Sequence, residues 1–247
     1  MQDRRTGSAA YLGRTGRAGR LLKAVGYGLL FAVPVTLLAF FVREKFLPLI
    51  ELDRAAIRAA TDVTRGHDWL RTALLVWQEI TQPRWLYIVG TVVCLVVWRR
   101  FGLLTRAAWA FVTMMVAWNL QLMLKLVVQR ARPVVSDPVS HAPGYSFPSG
   151  HAANAAAVAA VLLLLLWPLL GVVGRRVALA LATLVVIGTA LDRVYLGVHF
   201  PSDVVAGILF GVGLAVASYA GYLGWNPASP DDPPPPEGEA GPERDLR

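Results

Sequence analysis

A six-span, all-α membrane bundle is what this sequence predicts, and three observations predict it. Of its 247 residues, 55% are hydrophobic and 16% charged, against about 25% charged in an ordinary soluble domain. The mean hydropathy of +0.51 excludes a disordered chain and argues against a soluble globule. The apolar residues gather into six charge-free runs, and most of the 24 Lys and Arg side chains sit between them. A net charge of +8 distributed this way reads as membrane topology rather than as a nucleic-acid face, so no nucleic-acid partner is expected. The single cysteine, Cys94, lies inside an apolar run. It allows no intramolecular disulfide and no cysteine-built zinc site, and is expected to be a small buried apolar side chain.

Residues 1–23 are rich in Gly, Arg and Ser and carry Arg4, Arg5, Arg14, Arg17, Arg20 and Lys23 against one acid, Asp3. They are expected to form a basic, flexible arm. Ala24 to Val42 follows without a charge, and Arg43-Glu44-Lys45-Phe46 comes next rather than a small-residue cleavage site, which predicts an uncleaved first span. In residues 43–84, Ile50, Ile57, Val63, Leu70, Leu74 and Trp77 recur at helical spacing among charges. That pattern predicts amphipathic helix, on the membrane surface or packed on the bundle. Trp85 to Trp98 is a shorter apolar run, bracketed by Arg84 and Arg99-Arg100. Ala107 to Leu124, Ala152 to Leu170, Val177 to Leu191 and Val204 to Leu223 complete the six, and residues 24–223 form the bundle domain. The tail, 224–247, is proline-rich and acidic and is expected to be disordered. Trp85, Trp98, Trp167 and Trp225 at the run ends predict an interfacial belt.

Six spans place both termini on one side of the membrane. The six basic residues ahead of the first span predict that this side is the cytoplasm. Three polar segments then emerge together on the outer face: 43–84, Lys125 to His151, and Asp192 to Asp203. Ionisable groups beside spans are costly and are functional candidates by default.

Lys125 and Arg132 are seven residues apart, close to two helical turns, so a helix would put both cations on one face, although Pro133 disfavours helix at Arg132. Ser149-Gly150-His151 opens a long apolar helix, with Ser149 as its expected cap. The free N–H groups of such a helix start make an anion site, which Gly150 lets a ligand approach closely. His199 and Asp203 are four apart and positioned to hydrogen-bond, and an acid holding one imidazole nitrogen leaves the other oriented and more basic. Two histidines, one acid and three cations on one face are the mixture phosphoryl transfer needs. A metal site of His151, His199 and Asp203 is the competing reading, but Lys125, Arg132 and Arg193 would repel a divalent ion. His67 and His141 have no such company and read as solvated loop residues.

Taken together, Lys125-x6-Arg132-Pro133, Pro148-Ser149-Gly150-His151 and Arg193-x5-His199-x3-Asp203 resemble the three signature motifs of the type 2 phosphatidic acid phosphatase superfamily. That group contains membrane lipid phosphate phosphatases and soluble vanadium haloperoxidases. The resemblance implies a six-helix bundle and metal-independent hydrolysis, with no cofactor. It implies that His199 attacks phosphorus, that Asp203 orients it, and that His151 protonates the leaving oxygen and then activates water. Lys125, Arg132, Ser149, Gly150 and Arg193 would hold the phosphate. The family usually has serine where this chain has Asp192, which is expected to be dispensable, either pairing with Arg193 or accepting a neighbouring N–H. The expected activity is hydrolysis of a lipid phosphate or diphosphate monoester at the outer face of the cell membrane: phosphatidic acid, phosphatidylglycerol phosphate or undecaprenyl diphosphate. A non-catalytic lipid-binding or transport protein is the alternative.

Overall fold

The computed structural model describes the backbone of residues 5–134, 140 and 143–225, and side chains within this from Ala18 to Leu223. All regular structure among the described residues is helical: α1 (Arg5–Arg43), α2 (Leu47–Arg65), α3 (Asp68–Ile80), α4 (Pro83–Phe101), α5 (Leu104–Val128), α6 (Gly150–Leu166, followed by a 3-10 turn, Trp167–Leu169), α7 (Val172–Tyr195) and α8 (Pro201–Trp225). Helix α1 begins within the stretch read from sequence as an arm. The tail beyond Trp225, Trp225's own side chain and His141 lie outside the described residues.

Five helices, α1 and α5–α8, are long and apolar enough to cross a membrane alone. The sixth span is α4. Its ends carry Arg84, Arg99 and Arg100, and it meets the same measure only together with α3, across a 45° bend. Pro83 supplies a fixed φ and needs no hydrogen-bond acceptor in the first turn of α4, and Gly102, at φ +70°, ends the helix in a left-handed turn. Trp85, Trp98 and Trp167 stand exposed at helix ends, each with an arginine over its ring (Arg84, Arg99 and Arg175). The 43–84 segment resolves into α2 and α3, which pack on α7.

Large apolar side chains point outward, as Leu29, Leu30 and Val33 do on α1 and Leu181, Leu184 and Ile187 on α7. Small ones point inward. Helix α6 is central, against α4, α5, α7 and α8, and buries Ala152, Ala153, Ala155, Ala156 and Ala157 almost completely. That inversion suits lipid, where association rests on close backbone approach and a few polar contacts rather than on expelling water. One such contact is the Tyr87 hydroxyl, 2.7 Å from Asn154 Oδ1 and 2.9 Å from the Met114 carbonyl, which ties α4, α5 and α6 together.

Helices α6 and α8 approach one another backbone to backbone. A Cβ added at Gly211 would stand 2.4 Å from the Ala153 carbonyl oxygen and 2.7 Å from the Ala157 nitrogen. Neither backbone atom can move unless α6 moves. Gly211→Ala should therefore lower stability by about 1–3 kcal/mol, read as an earlier thermal transition of the detergent-solubilised protein. Gly26→Ala, where a Cβ meets nothing within 4 Å, is the control. Equal melting of the two variants would show that α6 and α8 are not this close.

Candidate active site

The three motifs converge where the C-terminal ends of α5 and α7 meet the N-terminal ends of α6 and α8. Helix α5 stops at Val128, where Gln129 turns to φ +52° and closes the helix on the Lys125 carbonyl. The expected two-turn face shared by Lys125 and Arg132 is therefore not formed: Arg132 lies in irregular chain, four residues past the helix end, and its neighbour Pro133 disfavours helix there. The two cations nevertheless reach one place. Lys125 Nζ donates to the Tyr145 and Pro148 carbonyls, both at 2.8 Å. Arg132 donates to the carbonyls of Pro143, Gly144 and Val198, and its Nη1 lies 3.1 Å from His199 Nε2.

Ser149 takes the N-cap position of α6, but its side chain makes no capping hydrogen bond. Its Oγ is instead buried without a partner among the described residues. The expectation of a capping serine is corrected, and the hydroxyl remains available to a ligand. Gly150 is set close to α5, where a Cβ would come 3.2 Å from Gln121 Oε1. The N–H groups of the first turn of α6 have no acceptor within the helix and point, with the positive end of its dipole, to this spot. His151, half-buried in the same turn, lies in the field of Arg193, His199, Arg132 and Lys125.

After α7 the chain reverses through Gly197, at φ +74°, and the Val198 and His199 N–H groups both donate to the Arg193 carbonyl. This turn buries His199 beside Asp203 in the first turn of α8. The expected direct hydrogen bond between them is not made. His199 Nδ1 and Asp203 Oδ2 are 3.6 Å apart, too far for one. Ser146 fills the gap: its Oγ donates to Asp203 Oδ2 at 2.5 Å and lies 3.3 Å from His199 Nδ1. The guanidinium of Arg132 can only donate, so His199 Nε2 must accept and Nδ1 must carry the proton. The polar chain thus runs from His199 Nδ1–H through the Ser146 hydroxyl to Asp203.

Three further residues escaped the sequence reading. Arg130 donates from Nη1 to Asp203 Oδ1 (2.6 Å) and Ser202 Oγ (2.7 Å), and from Nη2 to Asp53 Oδ2 (2.7 Å). Asp53, buried on α2, also accepts the Ser202 N–H and hydroxyl. With Ser146 these tie α2, the segment after α5, and α8 into one ionic knot. Their only signal in the sequence is position, Arg130 two residues before Arg132 and Ser146 three before Ser149; Asp53 has none. Arg193 is likewise committed. Its Nε donates to Asp192 Oδ2 at 2.7 Å, and its Nη2 to the same oxygen and to Gln78 Oε1 of α3. Of the two uses expected for Asp192, the structure shows the pairing with Arg193, while Oδ1 has no partner among the described residues. His67 is exposed at the start of α3, away from this cluster.

The comparisons with known proteins bear on this geometry. The PAP2 superfamily profile matches residues 106–226, a stretch that contains all three motifs. Residues 106–226 are thus a PAP2 superfamily region. It is 36% identical over 91 residues to phosphatidylglycerophosphatase B of Bacillus subtilis, covering 36% of this chain and 44% of that one. It is 35% identical over 128 residues to decaprenylphosphoryl-5-phosphoribose phosphatase of Mycobacterium tuberculosis, covering 50% of this chain and 64% of that one. The matched stretches thus span about half to two thirds of these relatives. The crystal structure of a transmembrane PAP2 type phosphatidylglycerolphosphate phosphatase from Bacillus subtilis has the same fold, with a TM-score of 0.69 and 22% identity, over 84% of this chain and 99% of that one.

The state of His199 follows from its surroundings. Burial pushes its pKa from 6.5 down to about 4; Asp203 opposes the shift, and Arg132 and Lys125 add to it. The imidazole is therefore neutral at pH 7. Between about 6.5 and 4 the unfolded chain takes up this proton before the native one does, so His199's contribution to stability is complete above that window and lost as pH falls through it. Nitrogen NMR of histidine-labelled protein, assigned with His199→Ala, should show the His199 imidazole still neutral at pH 5.5. A His199 midpoint near 6.5 would show that the ring is solvated.

Proposed function

We propose that this protein is an integral-membrane phosphatase that hydrolyses lipid phosphate or diphosphate monoesters through a phosphohistidine, without a metal or cofactor. One observation carries the reading: a neutral His199 presents the Nε2 lone pair to a cluster of cations, while its Nδ1 proton is held by Ser146 and, through it, by Asp203. A substrate phosphate replaces Nε2 as the acceptor of the Arg132 N–H. It is cradled further by Lys125, by Arg193, by the orphan Ser149 hydroxyl and by the Gly150 N–H. Nε2 then forms a bond to phosphorus as the bond to the leaving oxygen breaks, and His151 gives that oxygen its proton. In the second step His151 takes a proton from water, the water oxygen bonds to phosphorus, the P–N bond breaks, and inorganic phosphate leaves. The names of both curated relatives, each a phosphatase of a lipid-linked phosphate, support the substrate class. A lipid-binding or transport role would need only the cations and leaves the His199–Ser146–Asp203 chain without a use.

Wild-type protein given a phosphorus-labelled lipid phosphate in chelator should form an acid-labile phosphoenzyme and release phosphate. His199→Ala should form none. His151→Ala should slow both steps by about 10²–10⁴-fold, the usual worth of a general acid–base group. Label retained in the His199 variant would reassign the nucleophile, and activity that returns only with added metal would overturn the mechanism.

The site is proposed to face away from the cytoplasm, supported by the basic residues ahead of the first span. Glu44, between α1 and α2, lies at the site end of the bundle, and Val173, at the start of α7, at the other. In a Cys94→Ser background, Glu44→Cys should react with an impermeant thiol reagent in intact cells. Val173→Cys should react only after permeabilisation. The opposite pattern inverts the orientation.

A further inference from the structure

At the end of the bundle opposite the catalytic cluster, α1 and α8 enclose a cavity of ≈ 410 Å³. One face of α1, with Arg20, Lys23 and Tyr27, forms one wall, and one face of α8, including Val216, Tyr219 and Leu223, forms the other. No acid lines it. The Arg20 guanidinium is held across the gap, where its Nη1 donates to the Leu223 carbonyl at 2.9 Å. Lys23 is exposed, and its side chain forms no hydrogen bond or ion pair among the described residues. Behind the α8 wall lies Arg106, buried and without a carboxylate partner among the described residues. It donates to the Leu164 and Leu165 carbonyls and, at 2.7 Å, to the Tyr219 hydroxyl. That bond uses the hydroxyl oxygen as an acceptor, so the Tyr219 O–H proton is left to be donated, and no described residue accepts it. The surroundings extend the pattern. Arg99, Arg100, Arg175 and Arg176 stand at this same end, whereas every acidic side chain among the described residues lies between 44 and 79 or at 192 and 203.

We infer that this cavity binds the headgroup of an anionic phospholipid of the surrounding membrane, in the leaflet opposite the catalytic cluster, and that the lipid fastens α1 to α8. The site is not the substrate's: Tyr219 stands about 24 Å along α8 from Asp203, at the rise of an α-helix. Its depth suits a headgroup. Lys23 is the last charge before the apolar run of α1, and Leu223 is the last residue of the α8 span, so the cavity lies where the spans leave the hydrocarbon. The phosphate oxygens of a phospholipid accept hydrogen bonds, and here Lys23, the unused N–H groups of Arg20 and the Tyr219 O–H are donors. The missing acid gives the discrimination. A zwitterionic headgroup brings its own cation against walls that offer only positive charge, whereas an anionic one brings none. Val216 and Leu223 offer apolar surface to the glycerol end of the lipid. The same geometry makes the lipid a fastener. Deeper in the membrane α1 meets α8 by close packing, a Cβ at Gly213 falling 2.3 Å from Phe31 Cβ, but at the cavity the two helices are joined by the Arg20 bond across open space. The inference does not depend on the phosphatase reading.

The test is native mass spectrometry of the delipidated full chain in uncharged detergent, titrated with phosphatidylglycerol or with phosphatidylcholine of the same acyl chains. The wild type should bind phosphatidylglycerol more tightly. Lys23→Gln, at an exposed side chain that the fold does not use, should weaken phosphatidylglycerol about fivefold, and Arg20→Gln/Lys23→Gln about thirtyfold, the worth of one and of two basic side chains beside a charged lipid. Phosphatidylcholine binding should not change. Arg99→Gln/Arg100→Gln removes two charges from the same end of the bundle but outside the cavity, and should leave both affinities as they are. Lipid held at the catalytic cluster is common to all these variants and cancels in the comparison. Equal wild-type affinity for the two lipids overturns the inference. So does an equal loss in the Arg99/Arg100 variant, which would assign the preference to surface charge at large. Displacement of the lipid by an excess of inorganic phosphate would make the cavity a site for the free anion instead. The acidic tail that follows α8 is the rival occupant. Phosphatidylglycerol binding that is weak in the wild type and strong in Asp231→Asn/Asp232→Asn would give the cavity to the tail and overturn the lipid assignment.

Discussion

A carboxylate with no access to water, Asp203, is the constraint around which the rest of this site is arranged. Such a charge is tolerated only if nearby groups replace its hydration. Here Arg130 covers Oδ1, while Oδ2 receives the Ser146 hydroxyl and the Phe200 N–H. Arg130 in turn needs a second anion, Asp53 on α2, and Asp53 anchors Ser202 at the start of α8. Removing one member of a buried pair of this kind costs on the order of 3–5 kcal/mol, because the other charge is left uncompensated. The knot therefore fixes the position of α2, of the segment after α5 and of α8 together. It also fixes which tautomer His199 adopts, since the proton on Nδ1 has an acceptor and Nε2 faces only donors.

The backbone positions that serve this knot come from packing of small residues. Alanines along α6 and glycines along α8 bring two helix axes close enough that the Ser149 N–H donates to the Asp203 carbonyl across their N-terminal ends. Two helix starts placed side by side concentrate unpaired N–H groups and the positive ends of two dipoles at one point. Lys125, Arg132 and Arg193 surround that point. The same closeness explains why the outward faces of the spans carry the bulky residues: with small side chains inside, the apolar volume that suits lipid has to be outside.

Positive charge is graded across this end of the molecule. The cations nearest His199 are already held by carbonyls or by Asp192, so their positions are fixed by the protein itself. Farther along α2, Arg54 and Arg58 are exposed.

The sequence by itself determined the class of fold, the apolar spans, and the identity of several groups that gather around His199. Hydropathy and charge placement are properties of local chain, and the three motifs place His151, His199, Asp203 and the cations at span ends that must meet if the chain threads the membrane six times. Only the tertiary structure decided how those groups address one another. Helical spacing suggested that Lys125 and Arg132 share a face, but α5 ends at Val128 and loop geometry brings them together instead. Spacing of four suggested a direct His199–Asp203 bond, but the two side chains stand 3.6 Å apart with Ser146 between them. Asp53 is 150 residues from Asp203 in the sequence, as 203 − 53 shows, and nothing local marks it as the partner that Arg130 requires. A buried charge is neutralised by whatever the fold brings within reach, and that reach is set by packing between distant segments rather than by any pattern along one of them.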